Sequence, residues 1–379
     1  MKKTLKTILC LALVLTMFAG CTVVNVAKVG EVNGNDIPMG IYKYAMRIAE
    51  MYFGEMDYED KLTMVAMYDS YTASVVYGAI SDVMTEAGTA AEGEVIWDKA
   101  YGETTVGEAV KNAIFDELAK VYLAAEKATE KELVLTEEET ASISTLKSNL
   151  YGVLGSKSSF DAAIGEINLT ANQLTEFWTN ALLMSKLAES VAEENEIAED
   201  AVKTYFDDNY VRVKHILVKV GDEGIETMED AKVKAEAIIA KLDAGEDFET
   251  LMNAESSDKD AEGNVNGGEE GYIFTKNGGM VKPFEDAAFA LGVDEYTKEA
   301  VEITTANGGG YEGYHIVKRY AVAEDYFETN KEALTSNIEA ILGNEAFEAY
   351  MEGVVAEANV VKNESKINGY KLKDYKDAE

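Results

Sequence analysis

Cysteine and histidine are nearly missing from this chain of 379 residues, each occurring only twice. Two thiols, Cys10 and Cys21, cannot build a disulfide scaffold or a cysteine-rich zinc cluster, and two imidazoles are too few for most zinc sites. Positive charge is also scarce: 34 lysines and arginines stand against 70 acids, for a formal charge of −36. A field of that sign opposes binding to nucleic acid or to anionic lipid. There is no Walker-type phosphate loop, no serine-hydrolase signature, no internal repeat and no sustained heptad run to announce a coiled coil, although helical arms leave a homodimer open. Past the first twenty residues no uninterrupted apolar run of about 18 residues is available to span a bilayer.

What is present starts with an export signal. Lys2, Lys3 and Lys6 precede an apolar run from Ile8 to Phe18, then Ala19-Gly20 before Cys21. Cys10 lies inside the segment that would be removed, which leaves Cys21 with no internal partner. Phe18-Ala19-Gly20-Cys21 resembles the lipobox of bacterial lipoproteins, with phenylalanine where leucine is usual. That resemblance implies a lipid anchor at Cys21 and a place on the outer face of a bacterial cytoplasmic membrane; the two chains of a diacylglyceryl group suffice for stable anchoring. Loss of residues 1–20 removes three lysines and no acid, so the mature charge becomes −39.

A hydrophobic content of 47% and this length predict two or three folded domains. Val23 to Val32 reads as a β-rich stretch closing on the turn Asn33-Gly34-Asn35-Asp36. Helical periodicity follows through Ile41 to Phe53, through Ala109, Ile114, Leu118, Val121 and Leu123, behind a capping box at Thr136 to Glu139, and on through Leu174, Phe177, Trp178 and Leu182. The pattern changes to a β-branched strand at Val211 to Val220 and returns to helix after Tyr320, through Leu334, Ile338, Ile341, Phe347, Tyr350 and Val354. An α/β insert interrupts a helical body.

Both histidines fall in the insert, in two strand-like hexads of similar composition, Lys214-His215-Ile216-Leu217-Val218-Lys219 and Tyr314-His315-Ile316-Val317-Lys318-Arg319. Strand alternation puts His215 with Leu217 and Lys219 on one face and Ile216 with Val218 on the other, so two neighbouring strands can bring the imidazoles together. Between them run a helix capped at Thr227, a short helix with Phe248, Leu251 and Met252, a glycine-rich stretch from Gly263 to Gly271, and a third helix opened by Met280-Val281-Lys282-Pro283-Phe284-Glu285. In this order the motifs are similar to the parvulin family of peptidyl-prolyl isomerases over residues 209–320. The flanks resemble the chaperone part of PrsA-type foldase lipoproteins, through Val32-Asn33-Gly34 and Ala201-Val202-Lys203-Thr204-Tyr205-Phe206.

That resemblance implies an α+β fold: a mostly helical SurA- and PrsA-like body made by residues 21–208 and 321–379, with an inserted parvulin domain of four antiparallel strands at 209–320. It implies paired histidines at His215 and His315, an acid at Asp258, and a proline-ring pocket of Met280, Phe284 and Phe274. It implies no cofactor and no metal, and as partners unfolded exported proteins with X-Pro bonds. An alternative is a holdase chaperone whose parvulin-like domain is inert, since Glu270 and Glu312 replace uncharged residues of the family and are expected to add negative charge near the site. A second alternative is calcium, because Asp258 to Glu269 nearly satisfies an EF-hand loop, broken by Glu262.

Overall fold

The computed structural model describes residues 27–53, 59–88, 95–276, 278–305 and 310–372. The export signal and Cys21 lie outside the described residues. The N-terminal body starts with a hairpin of β1 (Lys28–Val32) and β2 (Asn35–Pro38), whose turn places Asn33 and Gly34 at positive φ of 50° and 84°. Asn-Gly supplies the two left-handed positions that such a turn needs. Helices at Met39–Phe53, Ser70–Ala87, Val106–Glu130 and Ala171–Glu194 then share one large apolar core around Tyr42, Tyr44, Phe115, Phe177 and Trp178, all fully buried. A two-stranded ribbon, β3 (Ala100–Tyr101) with β4 (Thr104–Thr105), sits ahead of the 106–130 helix.

Within this core a single carboxylate ties two helices. Asp69 is fully buried; it caps the 70–87 helix by accepting from Thr72 N–H at 3.0 Å and also accepts the Trp178 indole N–H at 2.8 Å. Burial pushes its carboxyl up while those donors pull it down.

The insert is a four-stranded antiparallel sheet in the order β6-β5-β8-β7: β5 (Tyr210–Lys219), β6 (Tyr272–Thr275), β7 (Val301–Ile303) and β8 (Gly313–Tyr320). One face carries Ile216, Val218, Tyr314 and Ile316 against the Met228–Asp243 and Phe248–Glu255 helices. The other carries Val211, Val213 and Val317 against Phe274 and, from the Lys282–Ala290 helix, Phe284 and Ala288. The expected capping box at Thr136/Glu139 forms, the expected cap at Thr227 is a capping box with Asp230, and Gly245 follows the 228–243 helix at φ 94°.

After the sheet the chain returns to helix at Lys331–Glu357, but the C-terminal part is not helical throughout. β9 (Val360–Lys362) pairs antiparallel with β1, giving a three-stranded sheet β2-β1-β9 that joins residues some 330 positions apart. Three β-capable residues beside a long helix carry too little periodicity to announce a strand; only its partner β1 reveals it. At the crossing Gly30 leaves no room for a side chain, since a Cβ there would run into the Val361 carbonyl and the Phe115 ring. Among the described residues no helix is long and apolar enough to cross a membrane.

Replacing Asp69 with alanine removes a helix cap and the 2.8 Å partner of the Trp178 indole, leaving that N–H only Thr72 Oγ1 at 3.3 Å. The combined loss is about 3 kcal/mol, read as a lower urea midpoint for the whole chain. A loss below about 1 kcal/mol would show that Asp69 is dispensable to the core.

Candidate active site

Register brings the two histidines together. In the β5–β8 ladder His215 stands opposite Val317 and His315 opposite Leu217, a diagonal pair on one face of two adjacent strands. Their ring centroids are 4.7 Å apart with planes at 83°. Phe284 closes the triangle from the 282–290 helix, 5.2 Å from the His215 ring and 5.1 Å from the His315 ring, edge to face with both. Phe274 lies 6.1 Å from Phe284, and Met280 packs, partly exposed, on the same apolar cluster. His315 and Phe284 are only 2% and 3% exposed, so the ring faces form the floor of the site and Met280 its accessible rim.

Asp258 reaches this pair through a local device. β6 covers only Tyr210 to Val213 of β5, which leaves the far half of that edge unpaired. The segment after the 248–255 helix fills it: Leu217 N–H donates to Ser256 Oγ at 3.1 Å, Ser257 N–H to the Leu217 carbonyl at 2.8 Å, and Lys219 N–H to Ser257 Oγ at 3.3 Å. The next residue, Asp258, is thereby set 2.9 Å from His215 Nε2. Its carboxylate also accepts from Asn266 Nδ2 at 2.7 Å and Tyr272 Oη at 2.8 Å. Tyr272 stacks on the His215 ring at 5.2 Å, 8° from parallel.

The charges follow from these contacts. His215 first, then Asn266 and Tyr272, hold the Asp258 carboxyl far below the usual carboxylate range against the opposing effect of burial. An ionised carboxylate accepts only, so His215 Nε2 carries the proton and donates it. His315 meets the opposite fate: burial and the neighbouring His215 push its imidazole down to about 3, so it is neutral at physiological pH. Tyr311 Oη lies 2.6 Å from His315 Nε2, and burial raises that phenol. The Nδ1 atoms of His215 and His315 are both buried without a partner. A buried polar atom without a partner costs about 1–3 kcal/mol, and here two lie on touching rings.

Tyr272, Tyr311, Asn266 and Ser256 were not among the residues picked out from sequence. Tyr272 was legible in principle, because alternation in β6 puts it on the Phe274 face. Glu312 and Glu270 are both exposed; Tyr311, not its neighbour Glu312, reaches His315, and the Glu270 charge acts on Tyr326. The EF-hand alternative fails on geometry. Asp258 is turned into the histidine network, Asp260 accepts from Glu262 and Asn264 N–H groups, and strand β6, not a helix, follows Glu269. Among the described residues no group of three or more histidine, cysteine or acidic side chains is placed to hold a metal ion.

Residues 199–320 match the family model for the PPIC-type PPIase domain. The foldase protein PrsA of Halalkalibacterium halodurans is 33% identical over 211 residues, 54% of this chain and 56% of that protein, so the match spans little more than half the relative's length. PrsA of Geobacillus kaustophilus is 30% identical over 233 residues, covering 60% of this chain and 67% of that protein. A crystal structure of PrsA from Bacillus subtilis aligns with 74% of this chain and all of that one, at 24% identity and a TM-score of 0.24.

A neutral His315 sets a pH dependence. An unfolded imidazole takes up a proton near 6.5, whereas the folded one resists until about 3. Its contribution is therefore complete above about 6.5 and drains as pH falls toward 3; Asp258, also depressed when folded, adds loss of the same sign below about 4. Urea stability measured at pH 7 and pH 5 should differ by about 2 kcal/mol more in the parent chain than in His315→Gln. Identical pH slopes in the two proteins would refute the assignment.

Proposed function

The chain belongs to the PrsA foldase family, and we propose that its sheet domain catalyses cis–trans isomerisation of X-Pro bonds in unfolded exported chains. The observation that carries this reading is the triangle of His215, His315 and Phe284 with the ionised Asp258 beneath it. Rotation about an X-Pro amide breaks no covalent bond and is opposed by a barrier near 20 kcal/mol. Lifting the rate from about 0.01 to about 100 per second takes roughly 5.5 kcal/mol of preferential binding to the twisted amide.

The parts supply that preference differently. Met280 and Phe284 offer an apolar seat for the proline ring. Phe284 and the imidazole faces keep water from the amide, which loses its resonance and its polarity as it twists. Asp258 fixes the tautomer of His215, and Tyr311 fixes His315, so neither ring reorganises as the bond turns. No nucleophile is needed. The lipobox-like Phe18-Ala19-Gly20-Cys21 supports the further proposal that the mature chain is anchored at Cys21 on the outer face of the cytoplasmic membrane, where clients emerge unfolded.

One observation favours a holdase instead: His315 and Phe284 are almost wholly covered, so a proline ring must find its seat on the Met280 side. A proline-containing tetrapeptide assay on the full chain decides. Asp258→Asn should lower kcat/KM by about tenfold to a hundredfold, or about 1.4–2.8 kcal/mol, with His215→Ala at least as damaging and Met280→Ala acting mainly on KM. Equal activity in all three would remove the site assignment. No acceleration by the parent chain, with aggregation of an unfolded protein still suppressed, would establish the holdase.

Anchoring has its own check. In cells making the full precursor, Cys21→Ser should move the protein from the membrane fraction to the soluble one. A variant that stays with the membrane would exclude Cys21 as the anchor.

A further inference from the structure

The isomerase reading leaves one surface of the helical body unused. Among the described residues β9 is an outer strand of its sheet and is paired only with β1. Asn33 N–H donates to the Asn359 carbonyl and Asn363 N–H to the Val29 carbonyl, each at 2.9 Å. By the two-residue alternation of an antiparallel ladder, the amides of Val360 and Lys362 then point away from β1. Nothing among the described residues takes their N–H or C=O groups.

This open edge borders a cavity of about 830 Å³ between the 70–87 and 106–130 helices and the end of the 331–357 helix. Gly78, Ala79, Ala113 and Ala119 keep its walls shallow and apolar. A lysine on an edge strand normally guards it against pairing. Lys362 does not stand guard: its Nζ is held 2.7 Å from Asp116 and 5.3 Å from the Phe115 ring centroid. Lys120, the other lining lysine, pairs with Glu117 and Glu348. Glu364 on the rim is exposed and has no ion-pair partner among the described residues, which leaves the mouth of the cavity anionic.

We propose that this edge binds an extended, proline-free segment of an unfolded client by strand addition to β9. The segment's backbone pairs with Val360 and Lys362, alternate small or β-branched side chains enter the cavity, and a lysine or arginine meets Glu364. The proposal rests on the foldase reading and assigns to the body the apolar stretches, as the histidine site takes the X-Pro bonds. A second copy of the chain is a poor occupant, because two concave surfaces facing across a twofold axis do not fill each other.

The test uses the full mature chain and a short fluorescein-labelled peptide of alternating valine and threonine with an arginine at each end, followed by fluorescence polarisation. Saturable binding is expected, weakened about tenfold or more when alternate peptide amides are N-methylated, which removes strand pairing but keeps the side chains. Gly78→Leu should weaken it similarly while holding or raising the melting temperature, because a side chain there meets nothing within 4 Å and replaces a glycine inside a helix. Excess proline tetrapeptide should not compete. No saturation, equal binding of the N-methylated peptide, equal binding by Gly78→Leu, or competition by the tetrapeptide would each overturn the proposal. So would dimers of the parent chain that the peptide fails to dissociate. The probe contains no proline, so a failure here is distinct from a failure of the isomerase assay.

Discussion

The register of β5 against β8 is the constraint on which the site depends. Side chains alternate with a period of two, so a slip of one residue between these strands would send one imidazole under the 228–243 helix while its partner stayed beside Phe284. Register is fixed from three sides. Ile216 and Ile316 face each other in the apolar layer beneath the helices, both fully buried. Gly313 lets its strand approach the Val218 carbonyl at a point where a Cβ would collide. The 256–258 segment occupies the last open stretch of the β5 edge.

Within that frame the electrostatics divide cleanly. One imidazole is tied to a carboxylate that takes three donors and stays ionised; the other is stripped of water and stays neutral. The anion is worth burying only because His215, Asn266 and Tyr272 all turn toward it; removing any one leaves a partly covered charge short of a donor. The two imidazoles are thus held in place by Asp258 and Tyr311. That suits a reaction in which nothing is protonated or cleaved and the transition state differs from the ground state mainly by a rotated, less polar amide.

Much of this could be read from residues alone, because the informative signals were local. Period-two alternation placed each histidine on a face, capping boxes at Thr136 and Thr227 started helices where they occur, and Pro283 marked the opening of the helix that delivers Phe284. The resemblance to the parvulin family put Asp258 in one site with the two histidines. What stayed hidden depends on pairing between distant segments. Tyr311 reaches His315 only because the chain turns into β8 just after it, and Asn266 reaches Asp258 by the fold of a glycine-rich loop whose sequence nearly satisfies a calcium-loop pattern. β9 became visible only beside β1.

The two parts of the chain are joined through a small aromatic core. Phe206, from the 199–209 helix, lies 4.9 Å from Tyr210 and 5.2 Å from Phe327, with Val202, Leu334 and Ile338 closing the cluster. Tyr210 is the first residue of β5, the same strand that carries His215, so the packing that anchors the body is continuous with the strand that builds the site. β1 and β9 close the body on the other side by joining its two ends. A segment held along β9 therefore remains tethered while a proline elsewhere in the same client samples the histidine site, which raises the effective concentration of that proline without any change in the site itself. Such tethering asks only that the client be long and extended, which is the state of a chain that has not yet folded.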